Sequence, residues 1–112
     1  MANAYKILGQ VDLTDTNLTD VYTVPSNTES VVSTIIIANR TASATTFRIA
    51  LRPDGNSISN SMYIAYDVPL NANDSTTLTL GLTLDAADVV SVQAGDANAV
   101  SVNISGTEIT AS

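Results

Sequence analysis

The segment Ser30-Val-Val-Ser-Thr-Ile-Ile-Ile-Ala-Asn-Arg40 decides the fold. It is the most apolar run in the chain and is β-branched almost throughout. Branching at Cβ restricts χ1, weakly disfavours helix and suits a pleated surface. The run is too short to cross a bilayer as a helix. Read at a strict period of two, Val31, Ile35 and Ile37 fall on one side, and Val32, Ile36 and Ala38 on the other. A strand apolar on both faces is normally covered on both. The domain core supplies one cover, and a loop or a second subunit supplies the other.

Strand signals continue on either side of this segment. Upstream, residues 4–11 alternate, with Tyr5, Ile7 and Val11 on one face and Lys6 and Gln10 on the other. Residues 18–24 read as a second strand, ended by Pro25-Ser26-Asn27. Downstream, Phe47, Ile49 and Leu51 alternate with Thr46, Arg48 and Arg52 over residues 45–52. Pro53-Asp54-Gly55-Asn56 is a turn, and an Asn/Ser-rich loop runs on to Ser61. Further strands are predicted over residues 62–68, 76–84 and 89–94, and from Val100 towards Ile109. The clearest alternation is Leu78, Leu80, Leu82 and Leu84 against Thr77, Thr79, Gly81 and Thr83. Short strands at regular spacing, with no helical period, predict an all-β antiparallel sandwich of roughly eight strands. Jelly-roll and immunoglobulin-like arrangements both satisfy the pattern, although the Cys and Trp of an immunoglobulin core are missing. The expected core comprises Phe47, Ile49, Leu51, Leu78, Leu80, Leu82, Val102 and Ile104.

Length and composition set the outer bounds. A chain of 112 residues is expected to form a single domain spanning residues 1–112. It contains no cysteine and no histidine. Thiolate chemistry is therefore excluded, as are the commonest general base and the commonest zinc ligand. The segment Met1-Ala-Asn-Ala-Tyr-Lys6 lacks an apolar signal-peptide core, and no stretch is long enough to span a membrane. A soluble protein made in a reducing cytoplasm is expected. The formal net charge of -7 opposes binding to phosphate backbones, so no nucleic-acid partner is expected. Charged residues make up only 13% of the chain, which suits a surface packed against neighbours.

Catalytic equipment is sparse. The usual nucleophile–base pairs need His or Cys. The nine aspartates lie mostly in turns, where their side chains bond to nearby backbone. The Asp12, Asp15, Asn17, Asp20 cluster offers oxygen ligands but lacks the spacing and glycine of an EF-hand loop. The glycines are too dispersed for a phosphate loop. No enzyme activity, cofactor or metal is expected. Arg48 and Arg52 share the outward face of one strand, with Arg40 just before it. Two roles are open to them: pairing with Asp54 or Asp67 in the same chain, or an ion-pair contact with an acidic neighbour. With Ile35, Ile37 and Tyr63 they form the candidate interface set.

Several stretches together resemble a known family. These are Val21-Tyr-Thr-Val-Pro25, the run Val31 to Asn39 ending in Ala38-Asn-Arg-Thr41, Ala44-Thr-Thr-Phe-Arg-Ile-Ala-Leu-Arg-Pro-Asp-Gly55, Tyr63-Ile-Ala-Tyr-Asp67, Leu78-Thr-Leu-Gly-Leu-Thr-Leu84 and Asp88-Val-Val-Ser-Val92. The opening Ala4-Tyr-Lys-Ile-Leu-Gly-Gln10 and the closing Gly106-Thr-Glu-Ile109 extend the likeness over nearly the whole chain. The pattern is similar to a small β-sandwich module of virion proteins in tailed phages, cyanophages included. The resemblance implies a non-enzymatic virion structural protein made in the host cytoplasm, in particular a capsid decoration or cement protein. The doubly apolar strand and the charge-poor surface add the expectation of a homo-oligomer, a trimer favoured by the local symmetry of capsid surfaces, bound to other virion proteins such as the major capsid protein. A neck, tail or fibre-base component is the second placement, and a carbohydrate-binding adhesin module the second class.

Overall fold

The computed structural model describes residues 2–110. The strands are β1 (Ala2–Leu13), β2 (Thr19–Thr23), β3 (Thr28–Asn39), β4 (Thr45–Arg52), β5 (Tyr63–Leu70), β6 (Ser75–Leu84), β7 (Val89–Ala94) and β8 (Val100–Thr110). Two short 3-10 turns, Pro53–Gly55 and Asn60–Met62, occupy the β4–β5 connection. Among the described residues there is no α-helix. Strand ends coincide with residues that accept a left-handed backbone: Asn27, Asp54, Asn73 and Asn98 all have φ between 53° and 57°. Short Asn and Asp side chains tolerate that region because they bond their own backbone.

The strands form two antiparallel sheets with the orders β1-β8-β3-β6 and β2-β7-β4-β5. Every connection except β4–β5 crosses from one sheet to the other. This interleaving is the double Greek key of a jelly roll. An immunoglobulin sandwich instead keeps its first two strands together in one sheet, so topology decides between the two arrangements that the sequence allowed.

The core lies between the sheets. Val32, Ile35 and Ile37 of β3 and Val100, Val102 and Ile104 of β8 meet Phe47 and Ile49 of β4 and Val90 and Val92 of β7. Burying each such side chain contributes roughly 1.5–3 kcal/mol relative to exposure. Of the expected core residues, Phe47, Ile49, Val102 and Ile104 are fully buried. Leu51, Leu78, Leu80 and Leu82 pack against the core but stay partly exposed. Three of these four lie on β6, an edge strand open to solvent along one flank.

The central segment departs from strict alternation, and the cause is a β-bulge. On β8, Gly106 opposes Val32 and the next residue, Ser105, opposes Thr34, so Ser33 is an extra residue on β3. An extra residue reverses which side chains face inward. Val32, Ile35 and Ile37 therefore share the inner face, while Ile36 points outward at 37% exposure and Val31 is half-buried. The two apolar faces read from the sequence are one core face and one mixed outer face. The first strand is corrected in the same way. Ile7 opposes Ser105 and Gly9 opposes Ile104, so Leu8 is the extra residue on β1. Tyr5 and Ile7 consequently face solvent, and Val11 packs inward. On β6, Leu80 and Gly81 together face Ser33. The irregularities thus run across the sheet at one level, opposite Gly106.

Gly106 is the residue that permits this. A Cβ there would collide with the Val31 carbonyl oxygen and lie 3.1 Å from Leu8 Cδ1. The bulged backbone of β3 comes close over β8 only because that position has no side chain.

Candidate interaction surfaces

The three arginines do not form a shared positive patch, because each is neutralised by its own carboxylate. Arg48 makes a forked pair with Asp67, Nε to Oδ1 at 2.6 Å and Nη2 to Oδ2 at 3.0 Å. Asp67 has φ of 51° and lies in an irregular stretch of β5, between the partners of Phe47 and Ile49. Arg40 pairs with Asp12. Arg52 donates to the Asn56 and Gly55 carbonyls, both at 2.8 Å, and to Asp20 Oδ1 at 2.6 Å. It thereby fastens the 53–56 turn to β4 and β2, while Asp54 turns away and donates its backbone N–H to Asp88. The intrachain pairing expected with Asp67 is present for Arg48; Arg52 chooses Asp20 rather than Asp54.

Arg48 also builds an aromatic cluster. Its guanidinium carbon lies 3.9 Å from the centroid of the Tyr66 ring. Tyr66 meets Tyr63 edge-on, with centroids 5.0 Å apart and planes at 87°. Cation–π and edge-to-face contacts of this kind each contribute roughly 0.5–1.5 kcal/mol. Hydrogen bonding to Asp67 raises the Arg48 pKa, and the same bond lowers that of Asp67. Tyr66 is 56% exposed and Ile64 on the same strand 44%. The outer surface of β4 and β5 therefore presents a rigid arginine–tyrosine platform beside an exposed aliphatic residue. Tyr63 belongs to this platform. Ile35 and Ile37 do not: both are completely buried in the core, because the Ser33 bulge turns them inward. Ile36 is the isoleucine of β3 that reaches the surface.

The other outer surface belongs to the sheet β1-β8-β3-β6. Its three middle rows read Tyr5, Thr107, Val31, Thr83, then Ile7, Ser105, Thr34, Thr79, then Gln10, Asn103, Ile36, Thr77. Gln10 donates across the strands to Asn103 at 2.6 Å. These rows contain no charged residue, whereas the chain as a whole carries -7.

A buried polar cluster escaped the sequence reading. Glu108 of β8 is only 9% exposed. It accepts a hydrogen bond from the Tyr22 hydroxyl at 2.6 Å and pairs with the Lys6 ammonium at 2.6 Å. The Tyr22 hydroxyl also lies 2.6 Å from Ser30 Oγ. The inward alternation Val100, Val102, Ile104 needs only two more steps, through Gly106, to place Glu108 inside. The bonds from Lys6 and Tyr22 lower the Glu108 pKa, and burial pushes the Tyr22 hydroxyl from 10.0 up to about 12. A depressed carboxyl contributes stability above its ordinary value of 4.5, and that stability is lost as pH falls through the lowered value. A raised phenol contributes stability that is complete below pH 10 and lost as pH climbs towards 12. The thermal midpoint should therefore fall on both flanks. Glu108→Gln should flatten the acid flank and cost about 1.5–3 kcal/mol at neutral pH, the usual worth of a hydrogen bond to a charged group. Thermal melts of both proteins across the pH range check this; parallel acid flanks would contradict it.

The acidic segment at residues 12–20 is dispersed in the fold. Asp12 goes to Arg40, Asp20 to Arg52 and Ser91, and Asp15 accepts the Asn17 backbone N–H at 3.0 Å. Among the described residues no group of three or more acidic side chains is placed to hold a metal ion.

Fold and surface together define an eight-stranded jelly roll whose distinctive exposed features are an arginine–tyrosine platform and an uncharged band across the middle of the other outer face. No protein-family model matches the sequence, and no curated protein does. Solved structures do resemble it. A chain in the acidic stable capsid structure of Helicobacter pylori bacteriophage KHP30 aligns over 99% of this chain and 90% of its own, with TM-score 0.56 and 14% identity. That likeness is one of fold. A pentameric capsid protein from metagenomic phage sequences aligns with TM-score 0.41 and 17% identity, over 94% of this chain and 61% of that one. A chain of infectious bursal disease virus, Gx strain, aligns with TM-score 0.40 and 11% identity, over 97% of this chain and 29% of that one. These last two scores are too low to add to the fold assignment.

Proposed function

We propose that this protein is a non-enzymatic structural component of a tailed-phage virion, specifically a decoration or cement protein that binds the major capsid protein on the head surface. The observation that carries the reading is the jelly roll itself. It aligns over 99% of its length with a chain of the KHP30 capsid structure, a likeness of fold that supports a virion structural role. The absence of His and Cys from the sequence supports the same reading. The docking surface in this proposal is the outer side of β4 and β5. There Arg48, Tyr63 and Tyr66 form a preorganised contact, with Arg52 further along β4; Arg40, paired with Asp12 of β1, lies away from this surface. Aromatic and arginine side chains held rigid before binding dominate interface energies, because little side-chain freedom remains to be lost.

The test is co-sedimentation of purified protein with undecorated phage heads. Binding should saturate at a defined stoichiometry. A Tyr66→Ala variant should bind at least about tenfold more weakly, which corresponds to about 1.4 kcal/mol. Arg48→Glu should also weaken binding and alter its salt dependence, as loss of an interface charge does. Heads that take up no protein would defeat the decoration role; selective binding to tail structures or to glycans would move the assignment to a tail component or an adhesin.

A further inference from the structure

The two sheets have four edge strands: β1, β6, β2 and β5. An edge offers unpaired backbone N–H and C=O groups to another strand, and soluble proteins usually blunt it with short length, bulges, proline or an outward lysine. Three of the four edges are blunted. β2 has five residues and a register shift beside Val21. β5 shifts register twice and carries Asp67 and Pro69. β6 breaks at Leu80 and Gly81, and its outward residues are Ser75, three threonines and that glycine. β1 carries a bulge of its own at Leu8, but it is the least blunted edge, because a six-residue run precedes that bulge. Its residues 2–7 pair in unbroken step with β8, from Thr110 to Ser105. Tyr5 and Ile7 stand 81% and 56% exposed. Lys6, the residue that would ordinarily guard such an edge, is drawn to Glu108 at 2.6 Å instead.

We propose that this edge pairs with the same edge of a second copy of the chain, antiparallel and about a two-fold axis through Tyr5. Residues opposed across an antiparallel pair point to the same side of the sheet, so registers related by such an axis set odd residues against odd and even against even. Centring on Tyr5 sets Tyr5 against the partner's Tyr5, Ile7 against the partner's Asn3 and Lys6 against the partner's Ala4. Centring on Lys6 would oppose two ammonium groups. Self-pairing also suits the charge. The chain carries -7, yet residues 2–7 hold no carboxylate, so two copies meet here without acid facing acid. The product is a continuous sheet running β6-β3-β8-β1 and then through the partner's strands in reverse order. A single strand pair buries less than the roughly 1,200 Å² of a stable interface. The dimer is therefore dissociable in solution and strengthened where copies are held close together. This inference deepens the assembly reading above, but its test needs no particle.

The chain has no cysteine, so an introduced one is a single reporter. Opposed residues have Cα atoms about 4.5–5.5 Å apart, within the span of a disulfide. Under mild oxidation Tyr5→Cys should form a covalent dimer at concentrations where Ser57→Cys, in the exposed loop, stays monomeric. Asn3→Cys and Ile7→Cys should each link poorly alone and form a mixed dimer when combined; this second pair leaves Tyr5 intact. The double variant Tyr5→Lys/Ile7→Lys should keep its far-UV spectrum and lose concentration-dependent association in sedimentation velocity. Equal linking at all positions, or none, would overturn the proposal. So would a Tyr5→Lys/Ile7→Lys variant that associates like wild type. If association vanishes while head binding persists, self-pairing and decoration are separate properties; loss of head binding alone would make β1 the capsid's docking strand and refute the self-pairing.

Discussion

Phe47→Ala should cost about 3–5 kcal/mol, the largest loss expected from any single truncation in this protein. Phe47 is the only phenylalanine, is 1% exposed and is the third residue of β4, an inner strand of its sheet. It is opposed by Ala94 on one side and Val68 on the other, both modest in volume, so neither neighbour can fill the space it would vacate. A domain of this size is stable by about 5–15 kcal/mol in total. The variant should therefore melt roughly 15 °C or more below wild type. Phe47→Leu keeps most of the volume and should lose clearly less. Denaturant titrations of both variants decide the matter. A loss below about 1 kcal/mol for alanine would mean that the sheets close over the gap and that Phe47 is not the central wedge.

Gly106→Ala should be nearly as damaging for the opposite reason, excess volume rather than lost volume. The added methyl would press into the Val31 carbonyl, which belongs to the backbone of β3 and cannot rotate away. Relief requires moving the Ser33 bulge or widening the β3–β8 pair, and overpacking of this kind costs about 1–3 kcal/mol or more. Gly81→Ala is the matched control, because a Cβ there meets nothing within 4 Å. It should be neutral or gain a few tenths of a kcal/mol, as glycine in a strand is entropically costly. If both alanines behave alike under denaturant, the row of bulges is not fixed by Gly106.

The local chemistry of the chain determined the class of fold and the placement of its elements. β-Branched runs, period-two alternation and Pro/Asn/Asp/Gly turns are encoded within a few residues, so the strands at 45–52 and 89–94 agree with the sequence reading at both ends. The others agree to within a few residues. The exclusion of His- and Cys-based chemistry was likewise complete in the composition. The tertiary structure alone decided which faces those strands present. Leu8 and Ser33 become extra residues only when β1 and β3 are laid against β8, a strand some 70 to 100 positions away in sequence, and nothing in their own neighbourhoods marks them. Each such residue switches the faces of the strand beyond it: Ser33 put Ile35 and Ile37, candidate interface residues, in the core with Val32, and Leu8 put Tyr5 and Ile7 outside. The charge partners were decided in the same way. Arg52 found Asp20 and Lys6 found Glu108 because sheet pairing and sheet stacking brought distant segments together. Side-chain preference acts over a few residues; register and salt-bridge choice depend on contacts that form only once both sheets are assembled.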